Sequence, residues 1–359
     1  MQLKIKNLDY VNETARASHR GGPDFVIIGG QKTGTTALFS YMITSPRVTW
    51  PGFQTKDKRK FKEAHFFDHC FGVSTLNTHY FEKPSPDSGY WCDVQLYRDL
   101  FQSCGKKSCG DASPSYMMYP EMPLLAHTLL PVHTKLIIML REPLSRAISG
   151  FFQTLDHGIV RTFEDAVQAE LDIMIQCETD VLDIEERYSE CIWPRVTEYS
   201  LSNTLTVPAG WWSAGWEARA TPKMCTSNAI SHGSILLRGL YFFQLRDWIA
   251  AFGADRLMVL LSDSFWKAPI ETTAKVIDFV SQHQTSAYVA ATKRQSLRAA
   301  KTLEKAASNA TLRNSATPTD FRLSSKLETK LRKLYAPYNE LLYGLLEKHS
   351  IAYDRFGDI

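Results

Sequence analysis

The sequence contains no apolar run of about 18 residues, the length a helix needs to cross a bilayer, so no membrane span is expected in it. Its first 24 residues, MQLKIKNLDYVNETARASHRGGPD, lack an apolar core of signal-peptide length. The expectation is a cytosolic protein, or one whose membrane anchor is not present in this chain. An excess of charge of one sign is missing too. Against 41 Lys and Arg stand 38 Asp and Glu, a formal net charge of +3. No strong global field follows, and no nucleic-acid partner is expected, although a local basic cleft can still hold an acidic polymer. Cysteine is sparse, at seven, and no spacing reads as a zinc site. No internal repeat is evident.

What is present suits a large α/β domain: 359 residues, 44% hydrophobic and 22% charged. Residues 1–22 read as a polar arm. Residues 23–359 read as a single domain with a long insertion around 151–232, a stretch rich in Trp, Pro, Ser and Thr beyond a helical segment at Phe163–Leu182. Trp211, Trp212 and Trp216 there are core anchors or sugar-stacking platforms. Cys104 and Cys109 can close a short loop, and Cys177 can pair with Cys191, with Cys225 nearby. Sequons at Asn12 and Asn309 add to a lean towards a secretory compartment.

The chain is organised around Phe25–Ser40, FVIIGGQKTGTTALFS. An apolar run reads as a buried strand, and ALFSYM opens a helix. Between them lie Gly29, Gly30, Gln31, Lys32, Thr33, Gly34, Thr35 and Thr36. Strand, glycine-rich loop and helix form a cradle for phosphate, because N–H groups and the dipole at a helix N-terminus favour an anion. The loop nearly fits G-x-x-x-x-G-K-[ST], but Thr35 follows Gly34 and the lysine sits earlier, at Lys32. The alternative is an ordinary glycine-rich turn between strand and helix.

Two further segments carry chemistry. In Lys62–Asp68, KEAHFFD, Glu63 and His65 share a face if the segment is extended, and such a pair can take a proton from a hydroxyl. In Lys135–Gly150, a strand KLIIML delivers Arg141 to the edge where parallel sheets bind ligands. Arg141 can grip phosphate bidentately, and Ser149, about two helical turns on, can add a hydroxyl. The basic run at 49–62 is a solvated loop or a substrate-facing rim.

Together these segments resemble sulfotransferases that use 3′-phosphoadenosine 5′-phosphosulfate (PAPS), and more narrowly the Golgi glycosaminoglycan group that includes the heparan sulfate enzymes. The loop is similar to their 5′-phosphosulfate loop. E-x-H-F-F-D is similar to their base-bearing segment, and R-E-P-L-S-R-A-I-S to their 3′-phosphate motif, in the same order along the chain. Asp111, Ser113, Pro114 and Tyr116 match a further motif, in which Ala112 stands where many heparan enzymes carry lysine. R-G-x-Y-x-x-Q-L-x-x-W within Ser234–Phe252, read as one amphipathic helix, matches another; its role is read as structural, with Arg238 and Tyr241 as the side chains that could reach the active site. Thr292–Gln295 is the nearest counterpart of the family's late basic loop, and no cysteine follows Cys225 to form the usual C-terminal disulfide. The C-terminal segment is similar to a terminal helix pair, here broken at Pro337.

The resemblance implies an α/β fold, a central parallel sheet flanked by helices as in P-loop kinases. It implies sulfuryl transfer from PAPS to a hydroxyl of a glycan or polysaccharide, without a metal, in the Golgi lumen or secretory pathway. It assigns Glu63 as general base with His65 and Asp68 in support, and Lys32 as the cation at the leaving oxygen. Gln31, Thr33, Gly34, Thr35, Thr36, Arg141, Ser149, Lys293 and Arg294 would join Lys32 in holding the nucleotide. The alternatives are an ATP- and Mg²⁺-dependent small-molecule or sugar kinase, or a non-catalytic glycan- or nucleotide-binding protein on the same fold.

Overall fold

The structure, a computed structural model, describes residues 21–51, 53–54, 60–71, 94–156, 162–180, 183–196, 198, 234–282, 284–290, 292 and 321–357. Trp211, Trp212, Trp216, Cys92, Cys225, Lys293, Arg294 and both sequons lie outside the described residues.

The strands are β1 (Phe25–Gly29), β2 (Val48–Thr49), β3 (Phe53–Gln54), β4 (Lys60–Phe61), β5 (Ser108–Asp111), β6 (Lys135–Leu140) and β7 (Leu257–Leu261). The helices are α1 (Thr35–Met42), α2 (Phe66–Phe71), α3 (Val94–Asp99), α4 (Met122–Leu129), α5 (Pro143–Asp156), α6 (Phe163–Asp180), α7 (Ile184–Glu186), α8 (Tyr241–Phe252), α9 (Ser262–Lys267), α10 (Pro269–Val280) and α11 (Ser325–Lys348). Five strands form one sheet in the order β2-β5-β1-β6-β7, every pair of neighbours parallel. β3 and β4 pair separately as an antiparallel ribbon.

Helices cover both faces of the sheet, so its central strands read as unbroken apolar runs. All five residues of β1 are buried. Side chains alternate between two cores. Val26, Ile28, Leu136, Ile138 and Leu140 face the larger one, with Tyr116, Tyr119, Phe243 and Trp248. Phe25, Ile27, Ile137 and Met139 face the smaller one, against Leu38 of α1 and Val276 of α10. Gly110 stands opposite Phe25, and a Cβ there would lie 2.4 Å from the Phe25 ring, so the pairing of β1 with β5 needs glycine.

Most elements fall where periodicity puts them, and two differ. Ser234–Phe252 is not one helix. α8 begins at Tyr241, and a 3-10 turn spans Leu237–Gly239. The buried Glu170 carboxylate accepts from the backbone N–H groups of Ile235, Leu236 (2.8 Å) and Leu237 (3.1 Å), holding that segment outside the helix. The C-terminal helix is not broken at Pro337: α11 runs from Ser325 to Lys348 with the proline inside it. Leu331, Leu334, Tyr335, Tyr338 and Leu342 are buried on both sides of Pro337, and this packing outweighs a proline penalty of about 3 kcal/mol.

Within 151–232, Phe163, Val167, Leu171 and Met174 of α6 belong to the larger core. Disulfides join Cys104 to Cys109 and Cys177 to Cys191. Among the described residues, no helix is long and apolar enough to cross a membrane.

Candidate active site

Beyond Gly29 the chain leaves β1 and turns back into α1. The Gly30 N–H donates to the Met139 carbonyl at 2.7 Å, and Thr33 Oγ1 closes the turn on the Gly30 carbonyl at 2.6 Å. Two residues adopt left-handed backbone, Lys32 with φ 66° and Gly34 with φ 101°. Gly34 is the N-cap of α1 and has no side chain to cap the helix. The first N–H groups of α1 therefore lack a side-chain acceptor, which is the arrangement that takes an anion. Thr33 and Thr35 are buried in the turn, and Thr36 is exposed at its lip. A Cβ at Gly34 would meet Trp266 Nε1 at 3.6 Å, so the segment after β7 flanks the loop.

Three guanidinium groups converge on two successive loop residues. Arg141, first after β6, donates from Nη1 to the Lys32 carbonyl at 3.4 Å. Arg146 of α5 donates from Nε to the Gln31 carbonyl at 3.3 Å and from Nη1 to the Ile235 carbonyl at 2.7 Å. Arg238 donates from Nη1 to Gln31 Oε1. Glu142 accepts from the N–H groups of Leu144 (3.1 Å) and Ser145 (2.7 Å), which caps α5, and Tyr241 OH donates to the Arg141 carbonyl at 3.0 Å. Ser149 is buried on the same helix as Arg146. Burial pushes the Arg146 guanidinium down and brings Arg238 to about 9.

Glu63, His65 and Asp68 also come together, but not on an extended strand. His65 takes left-handed backbone, φ 49°, immediately before α2. That turn brings Glu63 Oε2 to 2.8 Å from His65 Nε2, while His65 Nδ1 meets Asp68 Oδ2 at 2.9 Å. Ser115 Oγ donates to the same Asp68 oxygen. Lys62 pairs with Glu63 Oε1 and donates to the Ala112 carbonyl at 3.1 Å. Burial pushes the Glu63 carboxyl up, yet Lys62 and His65 outweigh it and hold it at about 2. Burial pushes His65 down, yet Asp68 and Glu63 outweigh that and raise it well above its ordinary value.

Asp111, the last residue of β5, fixes this turn. Its Oδ1 accepts from Ala64 N–H at 3.0 Å and Ser113 Oγ at 2.7 Å. Its Oδ2 accepts from Tyr116 OH at 2.9 Å and Tyr97 OH at 3.3 Å. Ser113 and Tyr116 in turn accept from the N–H groups of His65 (3.1 Å) and Phe66 (2.8 Å). The motif around Asp111 thus holds the Glu63–Asp68 segment through its backbone.

Sequence reasoning passed over Lys62, Arg146 and Glu170. Arg146 had a local signal, its place in R-E-P-L-S-R; Glu170 had none. Lys293 and Arg294 lie outside the described residues. The described candidate groups stand at the C-terminal ends of three adjacent strands: the glycine loop after β1, the Asp111 motif with its clasped Glu63 turn after β5, and Arg141 after β6.

The chain is similar to several known proteins. The chain is 31% identical over 134 residues to mouse heparan sulfate glucosamine 3-O-sulfotransferase 6, covering 37% of this chain and 31% of that protein. It is 31% identical over 135 residues to the nematode (Caenorhabditis elegans) bifunctional heparan sulfate N-deacetylase/N-sulfotransferase 1, covering 38% of this chain and 13% of that protein. It is 22% identical over 290 residues to the membrane-associated sulfotransferase kil1 of Dictyostelium discoideum, covering 72% and 56%. These matches span about a third of the first relative's length, less of the second and about half of the third. A sulfotransferase crystal structure from Alicyclobacillus acidocaldarius shares the fold, with TM-score 0.52 at 20% identity over 90% of this chain and 96% of that one. The family model described as "Sulfotransferase domain" matches residues 22–334, and with that match spanning the loop, the Glu63 turn and Arg141, the chain belongs to the sulfotransferase domain family.

Proposed function

We propose that this protein transfers a sulfuryl group from PAPS to a hydroxyl of a glycan. The observation that carries the reading is the gathering of an anion cradle, Arg141 and a carboxylate–imidazole pair at one edge of the sheet, after three neighbouring strands. The residues suit the donor. The uncapped start of α1, with Lys32, Thr33, Gly34, Thr35 and Thr36, would hold the 5′-phosphosulfate, and Gln31 frames it. Arg141 and Ser149 would hold the 3′-phosphate, and Lys293 and Arg294 would close over the nucleotide.

In the step itself, the acceptor oxygen forms a bond to sulfur as the bond from sulfur to the 5′-phosphate oxygen breaks. Glu63 accepts the hydroxyl proton. Ionised and held by Lys62 and His65, it is ready to accept a hydrogen bond from the hydroxyl. Its low proton affinity suits a late transfer, when bonding to sulfur has made the hydroxyl strongly acidic. Lys32 neutralises charge growing on the leaving oxygen. His65 and Asp68 fix the Glu63 carboxylate. Positioning and electrostatics carry the chemistry, as in phosphoryl transfer, and no metal is invoked. The heparan-directed relatives favour an acidic glycan as acceptor, and the two disulfides favour an oxidising secretory compartment such as the Golgi lumen.

Calorimetric binding of 3′-phosphoadenosine 5′-phosphate (PAP), against ADP with and without Mg²⁺, tests the reading. Metal-independent preference for PAP, weakened about tenfold or more in Arg141→Ala by loss of charge-assisted hydrogen bonds, is expected. Preference for ADP with Mg²⁺ would replace it with a kinase.

A further inference from the structure

Arg238 is held on every side but one. The three N–H groups before it are bound by the Glu170 carboxylate, and the Leu236 carbonyl accepts from Tyr335 OH at 2.9 Å. The Leu237 carbonyl accepts from Gln244 Nε2 at 3.2 Å. A Cβ at Gly239 would meet the Tyr335 ring at 2.8 Å and Pro143 at 3.0 Å, so the following residue is packed against two helices. The side chain is 5% exposed. Its Nε donates to Ser234 Oγ at 3.4 Å and its Nη1 to Gln31 Oε1 in the loop. Its Nη2 is buried with no hydrogen-bond partner.

A buried guanidinium with an open donor is an unfinished interaction, because a desolvated N–H loses water without gaining an acceptor. Among the described residues, Nη2 of Arg238 is the one cationic atom so left. Its position says what could complete it. Through Nη1 it touches the residue immediately before Lys32. It also lies within electrostatic reach of Asp68, the far end of the Glu63–His65–Asp68 chain. Arg238 thus touches the loop that forms the anion cradle and feels the charge of Asp68, so it is linked to both halves of the site.

We infer that Arg238 is a catalytic residue whose Nη2 donates to a non-bridging oxygen of the sulfuryl group, already in bound PAPS and then in transit. The inference rests on the proposed PAPS-dependent transfer and adds a residue to it. Arg238 forms and breaks no covalent bond. As sulfur leaves the 5′-phosphate oxygen for the acceptor oxygen, with the hydroxyl proton going to Glu63, the guanidinium offsets charge on the equatorial oxygens. A planar fork suits this better than lysine, since Nη1 stays on Gln31 while Nη2 serves the substrate.

The test compares two ligands that differ in the sulfuryl group alone. PAP and PAPS are titrated calorimetrically into the wild-type chain, Arg238→Gln and Arg238→Lys, with thermal unfolding as the check on folding. Both variants should weaken PAPS tenfold or more and change PAP less than threefold. An equal loss for both ligands would make Arg238 a support for the loop and overturn the inference. So would affinities unchanged for both. If Arg238→Gln does not fold, Arg238→Lys, which keeps the charge and can reach Gln31, decides by the same ratio. Failure of the wild-type chain to bind PAP at all would sink the donor assignment itself, a result distinguishable from failure of Arg238 alone.

Discussion

The imidazole of His65 lies 2.8 Å from the carboxylate of Glu63 although the two residues share no strand. A left-handed turn at His65, held by Ser113 and Asp111 from the end of β5, makes the contact. Strand alternation would have put both side chains on one face. The structure achieves the same pairing in two residues of irregular backbone, and leaves the pair at the sheet edge.

Replacing Glu63 by Gln should lower turnover by about a hundredfold or more, the usual contribution of a general base. PAP affinity should stay within about twofold, because the carboxylate pairs with Lys62 and His65 and not with the phosphate loop. Steady-state sulfuryl transfer and calorimetry on one preparation read both. Unchanged turnover would remove Glu63 from the mechanism.

Stability should depend on pH at both ends of this cluster. Glu63 is depressed from 4.5 to about 2, so its contribution is present above the unfolded value and is lost as pH falls from about 4.5 towards 2. His65 is raised, so its contribution is complete below its ordinary value near 6.5 and fades as pH rises through the higher folded value. Unfolding midpoints of the wild-type chain minus those of Glu63→Gln should narrow below pH 4.5. A pH-independent difference would contradict the ion pairs. NMR titration of the His65 ring should find it protonated at pH 7.

Removing the carboxylate at Asp111 should cost about 3 kcal/mol of stability or more. Asp111→Ala strands buried donors on Ala64, Ser113 and Tyr116 at once. Activity should fall with it, since the Glu63 turn loses its backbone anchors. Chemical denaturation gives the number. A loss under 1 kcal/mol would mean the network is not formed in solution.

Pro337 should be replaceable with profit to stability. It lies exposed inside a continuous helix, where it removes one backbone hydrogen bond. Pro337→Ala should stabilise by up to about 3 kcal/mol, visible as a raised Tm. A lowered Tm would favour two helices and a designed break.

The sequence alone determined the parts of this protein that are local. Apolar runs marked β1 and β6; glycines and threonines marked the loop; Arg141 followed its strand; and the cysteine pairs were near enough to read. Each depends on neighbours within one element, so spacing and residue type carry it. What the tertiary structure decided depends on groups far apart in the chain. Gln31 and Arg238 are separated by 207 residues, and Lys62 and Ala112 by 50. Glu170 holds backbone more than sixty residues away and turns an expected helix into a 3-10 stretch. Pro337 fails to break its helix because buried neighbours on either side hold it to the core. No periodicity encodes such contacts. Packing and the need to satisfy buried polar groups choose them, and they place the loop, the arginines and the Glu63 pair along one edge of the sheet.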